Sequence, residues 1–308
     1  MFSLATSKTR RVLAATLVAM SLFPSCANTQ NGALDTPNLT TWPSEQPTNA
    51  WQPTAILGLP TGALVVSDRA QTRLYFLPDP LKKPERLQNP SPSAVEWTAL
   101  AGTPGLSFYA LDGPGQKVHQ YDLKGNYQGL AADLREIAEE EALGRVEPYG
   151  LAVDGTGQIL VSDGLGDRIL VFDPSWDLVG LWGETGAELG AWRRPGRMVS
   201  YQTSTYVHDE GNNRVVCLGS LGEVLGSAEV HGALTALAAG AHGVFVATEG
   251  LRVDRLPIGR QKAKALPLPA LGECDGENYI SALAVRGSSL FLSDGCHGRV
   301  IQLALNKD

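Results

Sequence analysis

The chain lacks most of the features by which a sequence announces a reaction. No serine nucleophile elbow, phosphate loop, dinucleotide fingerprint or zinc-type histidine pair is present. Its five histidines are scattered. No run of Lys and Arg occurs beyond the N-terminal segment, and the net charge is −7. That excludes a nucleic-acid surface, whose affinity comes from cations neutralising phosphates. Long apolar runs are missing as well. "VLAATLVAMSLF", residues 12–23, is too short for a comfortable membrane span.

That run has the length of a signal-peptide core, and Lys8, Arg10 and Arg11 precede it. "PSCANTQ" follows and reads two ways. Cys26 after Ser25 resembles a bacterial lipobox whose cysteine is acylated, although Phe23 and Pro24 depart from that pattern. Ordinary cleavage after Ala27, with Ser25 and Ala27 as the small pair, is the rival. Both place the mature protein outside the cytoplasm, with membrane contact only through a lipid anchor. Residues 1–26 are therefore read as a signal peptide and 27–50 as a polar tether rich in Pro and Asn. The domain proper spans 51–308.

What is abundant is glycine and proline, thirty-four and nineteen residues, which suits many short strands joined by turns. The phrase "VSDGLGDRILVFD", 161–173, returns as "LSDGCHGRVIQLA", 292–304. Sliding it along the chain finds five copies in which a cation follows an acid by five positions: Asp68 and Arg73, Asp112 and Lys117, Asp163 and Arg168, Asp209 and Arg214, Asp294 and Arg299. A sixth, shortened copy has Glu249 and Arg252. Successive acids lie 44, 51, 46, 40 and 45 residues apart. A strand-built repeat of that length predicts propeller blades.

About fourteen residues before the acids come "TAILG", "TALAG", "YGLAV", "TALAA" and "SALAV", small enough to crowd around an axis as innermost strands. Apolar second strands such as "QILVSD", alternating third strands such as "RVIQLA" and a fourth, outer strand complete each unit. The expected fold is all-β: a six-bladed propeller of four-stranded antiparallel blades. The acid ends the second strand and the cation begins the third. As an exposed pair it would fix the hairpin register at roughly 0.2–1 kcal/mol. A countercharge keeps each acid ionised, which favours architecture over catalysis. The last blade runs out at Leu305 without a fourth strand, and "LTTW", 39–42, is predicted to supply it.

Residues 148–183, "PYGLAVDGTGQILVSDGLGDRILVFDPSWDLVGLWG", closely resemble the NHL repeat in their Pro-x-Gly start, Val-Asp strand end and Ser-Asp…Arg core. The other copies keep the Asp…Arg skeleton over residues 51–305. The resemblance implies a propeller and an interaction role. NHL-like propellers include binding scaffolds and, more distantly, lactonases and lyases, so a reaction is not implied.

The connections between blades and the second-to-third-strand hairpins should share one face. There "DLREIAEEEALG", 133–144, predicts a helix capped by Asp133 and stopped by Gly144. Trp192, Arg193 and Arg194 place an aromatic beside two cations, suited to an anionic or peptide ligand or to packing. His208 sits where other repeats have Ser67, Leu111, Ser162, Thr248 and Ser293, and is expected to point to the central channel. Glu96 and Asn278 stand near innermost-strand starts and could contribute to a lactonase-type calcium site, although the motifs around them differ. Cys217 falls in an apolar third strand, whereas Cys274 and Cys296 are the natural disulfide of an oxidising compartment.

The favoured expectation is a monomeric, non-catalytic envelope scaffold for a protein, peptide or glycan ligand, with no cofactor. The alternative is a divalent-metal hydrolase or lyase using Glu96, His208, Asp209 or Asn278, with calcium as its candidate metal. A purely structural envelope component is a third.

Overall fold

The computed structural model describes residues 39–42, 51–70, 72–90, 95–249, 251–256, 264–268 and 280–305. The signal segment, Cys26, most of the tether, Cys274 and Asn278 lie outside them. Six four-stranded antiparallel sheets follow one another. Blades 1 to 5 comprise residues 53–86, 97–133, 148–182, 195–229 and 234–265. Blade 6 comprises 283–304 and takes its outer strand from Leu39–Trp42.

The innermost strands surround the axis, where Ala55, Ala99, Ala236 and Ala282 line the channel. Second strands such as Leu64–Asp68 and Ile159–Asp163 are buried along their whole length, which accounts for their unbroken apolar spelling. The core is thus a series of seams between neighbouring sheets. One joins Leu111 and Val118 of blade 2 to Leu151 and Val161 of blade 3.

Ring closure uses the strand anticipated at "LTTW". Leu39 pairs with Leu303 and Trp42 with Val300. Trp42 is buried, meets Phe291 edge-on at 6.0 Å and donates its indole N–H to Gln302 Oε1 at 2.9 Å. Arg286 stacks on Phe291 and Trp42, and its guanidinium donates to the carbonyls of Gly62 and Ala63, so blade 6 is bound to blade 1.

The acid of the repeat is an internal clamp rather than a surface charge. Asp163 and Asp209 are completely buried, as is Asp294. Asp163 Oδ1 accepts the N–H of Glu147 at 2.9 Å and of Gly166 at 3.1 Å, while Oδ2 meets Arg168 at 3.0 Å. Asp209 similarly holds Arg193 N–H, and its Oδ2 meets Arg214 at 2.8 Å. Asp294 holds Arg299 and His297. One carboxylate therefore joins the hairpin to the strand that enters the blade sixteen residues earlier.

Three of the expected pairs close in this way, and two do not. In blade 1, Asp68 and Arg73 face each other in register, but Asp68 Oδ1 accepts from the N–H groups of Gln52 and Ala70, and no ion pair joins it to Arg73. In blade 2, Lys117 stands in register with both Asp112 and Asp133, and its ammonium meets Asp133 on the outer strand at 3.5 Å, while Asp112 accepts the N–H of Gly115. Blade 5 is also corrected. Thr248, not Glu249, stands opposite Arg252, which pairs with Asp254 on its own strand at 2.7 Å. The sequence alignment of that copy was off by one residue.

Two substitutions test this reading by urea denaturation. Asp163→Ala leaves a half-buried guanidinium and two backbone N–H groups without their carboxylate and should cost roughly 3–5 kcal/mol, whereas Lys117→Ala should cost under about 1 kcal/mol. Trp42→Ala should lower the melting temperature by roughly 10 °C, through loss of a buried aromatic from the closing strand.

Candidate functional site

Each innermost strand begins with an irregularity in register, between Pro53 and Ala55, Trp97 and Ala99, Pro148 and Leu151, Pro195 and Met198, and Leu234 and Ala236 in blades 1 to 5. A bulge re-aims the side chains it frees from the ladder. Here the freed residues are Thr54, Thr98, Tyr149 with Gly150, Gly196 with Arg197, and Thr235. The serine of the Ser-Asp phrase closes the bulge. Ser162 Oγ accepts the N–H of Gly150 at 2.7 Å and donates to Gly196 O at 2.7 Å, linking blades 3 and 4. A Cβ on Gly150 would lie 2.3 Å from that carbonyl, so only glycine fits. Ser293 accepts from the N–H groups of Ser281 and Ala282 in the same manner.

Thr54, Thr98, Tyr149 and Arg197 line two connected spaces. Below is an axial channel of about 60 Å³, walled by Ala55, Ile56, Leu100, Met198, Leu237 and Leu283. Above, on the hairpin face, is a bowl of about 720 Å³ that adds Arg69, Thr72, Glu96, Trp97 and Asp112. The Arg197 guanidinium sits 5.5 Å from the Tyr149 ring centroid. Thr54 Oγ1 and Ser67 Oγ are 2.9 Å apart, and Thr98 donates to Leu111 O. Burial raises the Asp112 carboxyl above its usual range, opposed by the N–H groups of Gly115 and Glu96 and by Lys117.

The bowl takes few of the residues expected from sequence. Glu96 lines it. Trp192 does not bind anything from solvent: it is 1% exposed and packs between blades 3 and 4 with Ile169, Val171 and Val216. Arg193 contributes its backbone N–H to Asp209. Arg194 is exposed, but its guanidinium meets Glu147 at 3.7 Å and Glu210 at 3.5 Å. His208 is buried and is not among the residues lining channel or bowl. Its equivalent in blade 5 is Ala247, one residue before the Thr248 that the sequence had placed there. Asp209 is fully engaged by Arg193, Asn212 and Arg214. Cys217 is wholly buried. Asn278 and the Cys274 half of the expected bridge fall outside the described residues. No group of three His, Cys, Asp or Glu side chains is placed to hold a metal among the described residues.

The predicted helix forms over Leu134–Glu140, with Asp133 accepting from the N–H groups of Arg135 and Glu136. It stops earlier than Gly144, because Ala142 takes a left-handed φ of 53° and Leu143 N–H returns to Ala138 O. Leu134 and Ala138 are buried in the seam between blades 2 and 3, so the helix packs there.

The chain matches no protein-family model and no curated protein. Its likeness is to solved structures. Virginiamycin B lyase from Staphylococcus aureus superimposes with a TM-score of 0.61 at 14% identity, covering 88% of this chain and 100% of that one. A protein of unknown function from Bacteroides thetaiotaomicron gives 0.62 at 13%, covering 87% and 76%. A PQQ-bound aldose sugar dehydrogenase from Streptomyces coelicolor gives 0.57 at 15%, covering 87% and 98%. The shared property is the propeller. At these identities it says nothing of chemistry, and the fold implied by the NHL resemblance is the one observed.

Burial, and then the Arg197 cation, lower the His208 pKa to about 4, and burial with Lys117 does the same to His119. Both are neutral at pH 7. Since the unfolded chain protonates them near pH 6.5, their neutral burial favours the fold above that pH, and stability falls as pH drops from about 6.5 to 4. Arg197→Gln should move the His208 titration upward, measured by NMR. An unchanged titration would show that the Arg197 charge does not reach it.

Proposed function

We propose that this chain is an extracytoplasmic propeller, anchored through acylated Cys26 or released by cleavage after Ala27, that binds a protein, peptide or glycan ligand in the bowl without turning it over. The observation that carries the reading is the bowl itself. Its volume of about 720 Å³ falls within the range typical of ligand pockets. Hydroxyls and two guanidiniums line it, and the bulges that aim them are built into rigid strand ends. A disulfide between Cys274 and Cys296 would brace the blade-6 side of the same face in an oxidising compartment.

A second reading, a divalent-metal hydrolase or lyase, draws on the lyase among the structural neighbours and on Glu96 and the half-buried Asp112 carboxyl in the bowl. Of its candidates, Asp209 is committed to the hairpin clamp and His208 is buried, so the reading now rests on Glu96 and on Asn278, which lies outside the described residues.

Two experiments separate the readings. Metal analysis of the purified mature chain should find no stoichiometric calcium or zinc. A full equivalent lost on Glu96→Ala would favour the enzyme. A thermal-shift screen of short peptides and envelope glycan fragments should find ligands that raise the melting temperature and are recovered intact. Tyr149→Ala should abolish the response, and product formation would overturn the scaffold. For the anchor, a palmitate analogue supplied to cells should label the wild type and not Cys26→Ser.

A further inference from the structure

Arg197 is the anomaly of the bowl. The arginines that follow the repeat acids in blades 3, 4 and 6 are closed onto carboxylates, and Arg194 lies between Glu147 and Glu210. Arg197 is only half-exposed, yet among the described residues its guanidinium meets no carboxylate and makes no hydrogen bond. Its one charge-related contact is the Tyr149 ring. A guanidinium carries five donors in a planar fork matched to a carboxylate, and partial burial without such a partner is unfavourable. Arg69, exposed on the wall, also has no carboxylate among the described residues. The carboxylates of Asp68 and Asp112 are turned to backbone N–H groups, namely Gln52 and Ala70 for the first, Gly115 and Glu96 for the second. They leave the two cations uncompensated.

Building on the binding role proposed above, we infer that Arg197 receives the C-terminal carboxylate of a peptide, with Thr54 and Thr98 beside it and Arg69 on the approach. Three features favour a peptide over an acidic glycan. Glu96 is exposed in the same bowl, and the chain carries a net charge of −7. Both disfavour a polyanion while tolerating a single carboxylate followed by neutral or cationic groups. The bowl has one exposed aromatic ring, Tyr149, and Arg197 already occupies it; Trp97 is only 4% exposed. An open platform for a sugar ring is therefore missing. Below Arg197 the channel is walled by Ala55, Ile56, Leu100 and Met198, which suits a small apolar group beside the carboxylate.

The test uses the mature chain, residues 27–308, and a random tetrapeptide mixture in two forms, C-terminal acid and C-terminal amide, with bound peptides read by mass spectrometry. Acids should be retained at least about tenfold over amides. Arg197→Gln should erase that preference, Arg197→Lys should keep part of it, and Arg69→Gln should weaken acids about threefold. A cooperative thermal transition near that of the wild type reports that each variant is folded. Acids and amides retained alike, with loss of both in Tyr149→Ala, would overturn the carboxylate inference and leave the binding role standing. Retention of oligogalacturonate in place of peptides would overturn the peptide assignment. Retention of none of the three probes would count against both.

Discussion

The structure depends on a carboxylate that is buried and fully engaged. In blades 3 and 4 one aspartate accepts an N–H from the connection entering the blade, another group from its own hairpin, and the arginine at the start of the third strand. A charge at this depth is tolerable only because both oxygens have donors, one of them a guanidinium. The same bonds tie the hairpin and the inter-blade connection together on one face. That face can then carry irregular backbone without losing rigidity.

The irregular backbone is where the site comes from. A propeller axis lined by regular strands would present small apolar residues and little else. The bulges at the tops of the innermost strands free Thr54, Thr98, Tyr149 and Arg197 from the ladder, and Ser162 and Ser293 satisfy the N–H groups that the bulges leave over. The Ser-Asp phrase thus has two jobs in adjacent letters: serine holds the bulge that shapes the bowl, and aspartate holds the rim. His208 replaces that serine in blade 4, and burial first and the Arg197 charge second lower its pKa.

Where reading from sequence went astray, the cause was a competing physical demand. Trp192 beside two arginines has the composition of a contact site, yet a large ring gains more by filling the seam between blades 3 and 4 than by facing water. Lys117 has the spacing of a clamp cation, but it stands between two acids in register, Asp112 and Asp133, and its long flexible side chain takes the outer one. The shortened hairpin of blade 5 hid the slot by one residue. Tyr149 and Arg197 were within reach, since each lies just after the proline that opens an innermost strand. No repeat pattern marks them, however, because Tyr149 stands where blades 1 and 5 have Thr54 and Thr235, and Arg197 where they have Ala55 and Ala236.

The linear sequence by itself determined the blade count, the four-strand unit, the hairpin positions and the source of the closing strand. The first three follow from periodic burial and from turn chemistry, which act between neighbours along the chain, whereas the closing strand meets its partner at the far end of the sequence. Only the tertiary structure decided which acids are clamps, which arginine stays uncompensated and which side chains face the axis. Those outcomes turn on register shifts at the strand tops and on contacts between blades, which no repeat spacing encodes.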